Sequence, residues 1–309
     1  MKKNKKFKRI LFIFKSCYLM YLLLAFNAFI NGTKWMYRAA YVITVFGTGL
    51  ILWMLFLYKR YKKTYNIWLL GAFVVSYLIS AVTHISYGMT ENIKGIIWLV
   101  LPLVLVYVSV FDMSGTEIRR EMRILSGIYI FYCTIANLAS LSMIYWGRMY
   151  DYIDDIGVIH GIGYRWNRLW GVYDDPNHGA TITVVALFML AYLFSYAKKL
   201  WQRYVYILIC IVNYFYIVLS DSRTGMVSLG GGILLCGFLL FWVKIGRGVH
   251  LRRALLPLLC AAIVIGVTFA SDAVLKLIYQ PIDQSIVQQL EGRKTIVSKL
   301  QSDKKNVRK

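Results

Sequence analysis

Acidic residues are scarce in this chain: 14 Asp and Glu stand against 36 Lys and Arg, and charged residues of both signs make up only 16% of 309 positions. Soluble domains carry about a quarter charged residues, spread over the surface. So little charge, gathered in clusters, excludes a soluble enzyme and a disordered chain. Cysteine is also sparse, with five residues (Cys17, Cys133, Cys210, Cys236 and Cys260). None forms a C-x-x-C pair, so a secreted disulfide scaffold and a zinc site are unsupported; all five read as buried thiols serving as small apolar residues. Internal repeats, low-complexity tracts and the period-2 pattern of a membrane barrel are absent as well.

What fills the chain instead is hydrocarbon. Apolar residues make up 59% of it, and the mean hydropathy is +0.57. The gaps between charge clusters are apolar runs of roughly 18–22 residues, the length at which a helix crosses a ~30 Å hydrocarbon layer. A backbone in lipid must satisfy its own hydrogen bonds, so these runs are expected to be helices. The expected fold class is all-α, a polytopic membrane helical bundle. Nine transmembrane helices are expected near 10–30, 38–58, 66–86, 93–111, 124–146, 177–197, 203–220, 225–243 and 254–271. The opening MKKNKKFKR followed by ILFIFKSCYLMYLLLAFNAFI has the order of a signal peptide. Its apolar stretch is too long, carries Lys15 and lacks a small-residue cleavage site, so it reads as an uncleaved first helix.

The net charge of +22 would point to nucleic acid in a soluble protein. Here the basic residues punctuate hydrophobic spans, so no nucleic-acid partner is expected. They also give an orientation. The N-terminal stretch and alternate loops (YKRYKKTY, EIRREMR, AKKLWQR, KIGRGVHLRR) hold 20 Lys and Arg, and the opposite loops hold 7. The excess marks the cytoplasmic side. The order is then a cytoplasmic basic tail (1–9), five helices (10–146), an extracytoplasmic loop (147–176), four helices (177–271) and an extracytoplasmic tail (272–309).

The loop 147–176 is longer than ordinary connections, and such loops are usually functional. It holds five of the 14 acids (Asp151, Asp154, Asp155, Asp174, Asp175) and three arginines. Asp175 before Pro176 reads as the N-cap and first residue of the sixth helix, with Trp166, Trp170 and Tyr173 as an interfacial aromatic belt. Capping does not require Arg165, Arg168, Asn177 and His178 to crowd the same end. A helix N-terminus beside an arginine makes an anion site. A second cluster, Ser220-Asp221-Ser222-Arg223-Thr224-Gly225, separates the seventh and eighth helices. Arg223 at the membrane boundary reads as functional; the alternative is an Asp221–Arg223 pair closing a tight hairpin capped by Ser222. Gly230, Gly231 and Gly232 read as a surface for close helix packing. Two arginines and two helix N-termini suit a phosphate-rich ligand.

These two segments resemble the O-antigen ligase and polysaccharide polymerase family of membrane glycosyltransferases. The likeness rests on Arg168, Gly171, Tyr173, Pro176 and Asn177, followed one helical hairpin later by Ser222, Arg223, Thr224 and Gly225. It covers 160–245, and the earlier helices only as architecture. The resemblance implies a GT-C-like enzyme of a bacterial plasma membrane, needing no nucleotide sugar, metal or other cofactor. It would take a glycan from undecaprenyl pyrophosphate and join it to an acceptor hydroxyl on a glycan or lipid, in surface polysaccharide assembly. Arg168 and Arg223 would be catalytic, neutralising the pyrophosphate leaving group. Arg165, Asp175, Asn177, His178 and Ser222 would bind substrate. Family members continue into a large external loop and further helices. Here GRKTIVSKL, with Gly292 and Arg293, resembles the start of that loop, so the tail is either a minimal substitute or the mark of an inactive truncated member.

External groups able to take the acceptor's proton are His160, His178, Asp154, Asp155 and Asp174, with His160 and Asp174 the candidate bases. Asp151, Asp154 and Asp155 would share a face if that stretch is helical. Lys15, Asn27, Asn137 and Asn213 read as interhelical contacts, His84 as an interface residue and His250 as cytoplasmic. A lipid-glycan flippase or small-solute transporter is the competing class. Its members tend to show paired halves and ionisable residues near the midplane, whereas here ionisable residues gather at the outer ends.

Overall fold

The computed structural model describes residues 2–57, 67–83, 88–111, 113–145, 149–153, 159–165 and 168–271, with 273, 274 and 277. Among them are nine helices and a three-stranded sheet: α1 (Lys2–Leu24), α2 (Lys34–Leu52), α3 (Ile67–Thr83), α4 (Met89–Pro102), α5 (Gly115–Tyr145), β1 (Met149–Ile153), β2 (Ile159–Arg165), β3 (Arg168–Gly171), α6 (Pro176–Ser195), α7 (Leu200–Leu219), α8 (Arg223–Gly246) and α9 (Leu251–Ser271). Six segments are long and apolar enough to cross a membrane: Lys34–Phe56, Gly115–Ile144 and α6 to α9. Large apolar side chains such as Trp68, Val45 and Val227 stand 70% or more exposed, as a bilayer-facing surface requires and a soluble one avoids. The chain is an all-α membrane bundle carrying one small sheet.

The structure divides into two units. In the first, residues up to Tyr132, α1, α2 and α4 pack around Phe7, Phe14, Tyr18, Met54, Leu101 and Leu105. Phe7 meets Trp53 edge-on at 5.1 Å between ring centroids, and Tyr21 tilts against Trp98 at 5.3 Å. Thr33 caps α2 by accepting from the Met36 amide. After Pro102 the helix widens into a π turn over Leu103–Val108, because proline offers no amide and crowds the preceding turn. The basic start of α1 lies along α5: Lys8 Nζ reaches Glu117 at 2.9 Å and Lys15 Nζ reaches Glu121 at 3.1 Å.

In the second unit, the rest of α5 joins α6, α7 and α8, with Val184, Ile217 and Leu229 at the apolar centre. Gly225 lets α8 approach α6, since an added Cβ would lie 2.6 Å from that of Ala180. Gly232 abuts Phe188, while a Cβ on Gly231 would meet nothing within 4 Å. Close packing therefore falls to Gly225 and Gly232 rather than to the whole glycine run.

Seven of the nine helices lie close to their expected places; α1 and α5 begin eight or nine residues early. The 1–9 stretch is helical from Lys2, since lysine and arginine are good helix formers and Lys8 finds Glu117. For α5 the signal is Ser114-Gly-Thr-Glu117, a capping box: the Glu117 carboxylate accepts from the Ser114 amide at 2.8 Å and the Ser114 hydroxyl from the Glu117 amide at 3.3 Å. The expectation of buried cysteines holds for Cys133 alone; Cys17, Cys210, Cys236 and Cys260 lie on exposed faces, which a thiol tolerates in contact with lipid.

Candidate functional site

Within the loop expected between the fifth and sixth helices, the described residues 149–153, 159–165 and 168–171 form the sheet, in the order β1-β2-β3. Asp151 therefore sits on a strand, not on a helical acidic face. β2 and β3 form a hairpin that sets Arg165 opposite Arg168 and Gly163 opposite Gly171, with a bulge at Gly163/Tyr164. The hairpin ends at Gly171, whose φ of +65° suits glycine. A Cβ there would overlap Ser140 of α5. The missing side chain lets the Ser140 hydroxyl accept from the Val172 amide at 3.0 Å, tying the hairpin to the helix.

Two residues on, Tyr173 is fully buried. It does not join an interfacial belt; its hydroxyl donates to Asn137 Oδ1 at 2.9 Å. Asn137 donates in turn to Asn213 Oδ1 at 2.7 Å and to the Thr183 hydroxyl at 3.0 Å. Asn213 donates to the Ile209 carbonyl and the Thr134 hydroxyl. Buried amides away from water must find partners, and this network supplies them from α5, α6 and α7. Asn137 and Asn213 are thus the interhelical contacts their sequence position predicts, as is Lys15 in the first unit. Asn27 instead accepts locally from the Phe29 amide.

Asp175 caps α6, accepting from the Asn177 amide at 2.6 Å, and Pro176 is the first helical residue. The backbone of Gly179 faces Tyr216 and Tyr173, where any side chain would collide. One turn away in space is the α7–α8 corner. Asp221 turns it with a φ of +46°, a left-handed conformation that aspartate tolerates better than most residues. Ser222 caps α8 by accepting from the Gly225 amide at 3.0 Å.

Asn177 joins these two places. Its Oδ1 accepts from Arg168 Nη2 at 3.0 Å and from the Ser222 hydroxyl at 2.9 Å, while Arg168 Nε donates to the Ser220 carbonyl at 3.0 Å. Arg168 thereby spends two of its five donors on the frame, and among the described residues Nη1 makes no hydrogen bond. Arg223 stands at the first turn of α8, exposed. Among the described residues it makes no ion pair with Asp221, so of the closed-hairpin alternative the Ser222 cap is present and the pair is not. His178 is exposed, with Nδ1 3.5 Å from the half-buried Asp174 Oδ1. Burial raises the Asp174 carboxyl above its ordinary value, and His178 pulls it the other way.

The structure thus gathers Arg168, Asn177 and Ser222, and beside them along α6 the Asp174–His178 pair. Asp175 and Ser222 are committed to capping, and Asn177 is a hub whose amide donors remain. His160 and Arg165 are placed by the backbone of β2. His84, Asp154, Asp155, Trp166, Gly292 and Arg293 lie outside the described residues. Sequence reasoning missed the anchoring roles of Tyr173, Ser140 and Thr183. Asp174 and His178 carried a readable signal, their i,i+4 spacing. Among the described residues no three His, Cys, Asp or Glu side chains gather as a metal site.

The frame offers an oriented guanidinium beside the N-termini of α6 and α8, a combination that can hold an anion; Arg223 makes no hydrogen bond to it among the described residues. No protein-family model, curated protein or solved structure matches this chain.

Proposed function

We propose that the chain is a polyprenyl-pyrophosphate-dependent glycosyltransferase of the ligase or polymerase type. It works at the extracytoplasmic face of a bacterial plasma membrane in a nine-span, GT-C-like bundle with its N-terminus inside. The observation that carries this reading is Asn177 Oδ1, which receives Arg168 from one cluster and Ser222 from the other. The two segments that resemble the glycosyltransferase family, about one hairpin apart in sequence, are one constellation in space.

In this reading, undecaprenyl pyrophosphate presents its glycan to the acceptor hydroxyl. The acceptor oxygen bonds to the anomeric carbon as the carbon–oxygen bond to pyrophosphate breaks, inverting the configuration. Arg168 and Arg223 neutralise the charge that develops on the leaving pyrophosphate. Because Arg168 is already oriented by Ser220 and Asn177, little reorganisation is needed as charge builds. His178 takes the acceptor's proton, with Asp174 holding its ring.

The test is the size and amount of surface glycan in cells lacking the gene, complemented with the wild-type chain or with Arg168→Ala/Arg223→Ala. Restoration by the wild type and at least a hundredfold less glycan with the inserted double variant is expected. Equal rescue by both would sink the arginine mechanism and favour a transporter. The orientation is checked by placing a cysteine in 147–176 and adding a thiol reagent that does not cross membranes. Labelling of intact cells is expected; labelling only after lysis reverses the topology.

A further inference from the structure

Between α1, α2 and α5 of the first unit runs an open apolar groove of about 910 Å³, lined by Met20, Leu24, Val42, Ile43 and Phe131 among others. α5 stands off here: a Cβ added to Gly127, on the groove wall, would meet nothing within 4 Å. From Ser16 to Leu24 the α1 wall rises roughly 12 Å, close to one leaflet of a ~30 Å hydrocarbon core.

What distinguishes the groove is its end. Arg38 is the one charged residue lining it. It lies about 6 Å along α2 from Lys34, with Trp35 beside it, 59% exposed as an interfacial anchor would be. Among the described residues Arg38 has neither an ion pair nor a hydrogen bond, and no carboxylate lines the groove. Lys15, the nearest other cation on α1, is committed to Glu121.

We infer that this groove is a binding site for one anionic glycerophospholipid, its acyl chains along α1, α2 and α5 and its phosphodiester on Arg38. The Arg38 guanidinium, the one charged group lining the groove, can pair with a phosphodiester. A polyprenyl pyrophosphate carries more charge and a chain longer than one leaflet, and fits less well. The site is independent of the proposed transferase chemistry, which lies in the second unit.

The test is native mass spectrometry of the full chain taken from bilayers of mixed phosphatidylglycerol and phosphatidylcholine. One phosphatidylglycerol retained per chain is expected, with phosphatidylcholine lost. Arg38→Gln should lower that retention about fivefold, the worth of one basic residue against an anionic lipid. Gly127→Leu, which fills the groove and leaves Arg38 in place, should lower it as well, while Arg252→Gln, at the exposed start of α9, should not. Thermal midpoints in lipid-free detergent establish that each variant is folded. Equal retention of the two lipids by the wild type, unchanged retention by both groove variants, or preferential retention of an added polyprenyl phosphate would each overturn the site.

Discussion

Around Phe14, Tyr18 and Met54 the first unit buries rings and aliphatic chains, whereas around Asn137 the second buries amides and hydroxyls. In the first, charge is kept in pairs, Lys8–Glu117 and Lys15–Glu121. In the second, hydrogen bonds run from Asn213 through Asn137 to Tyr173, and a separate bond from Ser140 holds the next turn of chain. Apolar contact is non-directional and tolerates small slips of one helix on another. Hydrogen bonds fix both distance and direction. The unit that holds Arg168 against Ser220 and Asn177 is the one built with direction.

Three changes would break or sharpen that contrast. The largest concerns Lys15, 4% exposed, against Glu121 at 18%. Lys15→Met strands a carboxylate and should cost about 3–5 kcal/mol, most of it recovered in Lys15→Met/Glu121→Met. Lys8→Met, at the more exposed pair, should cost no more than about 1 kcal/mol. Thermal unfolding in detergent measures both, and equal losses at the two pairs would refute the distinction.

Next is Asn137→Ala, which leaves Tyr173 and Asn213 short of partners. About 1–3 kcal/mol is expected, together with a fall in glycan assembly larger than the loss of folded protein explains. Leu101→Ala, in the first unit, should cost about 2–5 kcal/mol and lower activity only in step with folded protein. Activity tracking stability in both would remove the special role of the network.

The smallest effect is at Asp174. Burial raises its carboxyl pKa in the folded state, so the fold favours the protonated form. That contribution is fully present below the ordinary carboxylate range and is lost as pH rises through the raised value. Asp174→Asn, neutral throughout, should gain on the wild type as pH climbs through that window and hold its gain above it. A difference in thermal midpoint that does not vary with pH would sink this account.

Much of the fold was legible because apolar runs between charge clusters mark helices: seven helices fall near their expected places, and five of these seven are long and apolar enough to cross a membrane. The early starts of α1 and α5 were harder to read, since charged turns look like loops until Lys8 and Lys15 meet their glutamates. The Ser114–Glu117 capping box was the local signal for α5. The candidate site was legible as two clusters of residue types. Gly171 and Tyr173 were visible as motif letters, but their roles depend on Ser140 and Asn137, more than 30 residues away.

By itself, then, the sequence determined the membrane class, most of the helices and the caps at Asp175 and Ser222, because hydropathy and N-capping act over one span or one turn. Only the tertiary structure decided that Asp151 lies on a strand, that Tyr173 turns inward, and that Asn177 receives both Arg168 and Ser222. Those outcomes depend on which polar groups meet once helices pack, and a hydrogen bond between distant residues leaves no period or spacing in the chain to be read beforehand.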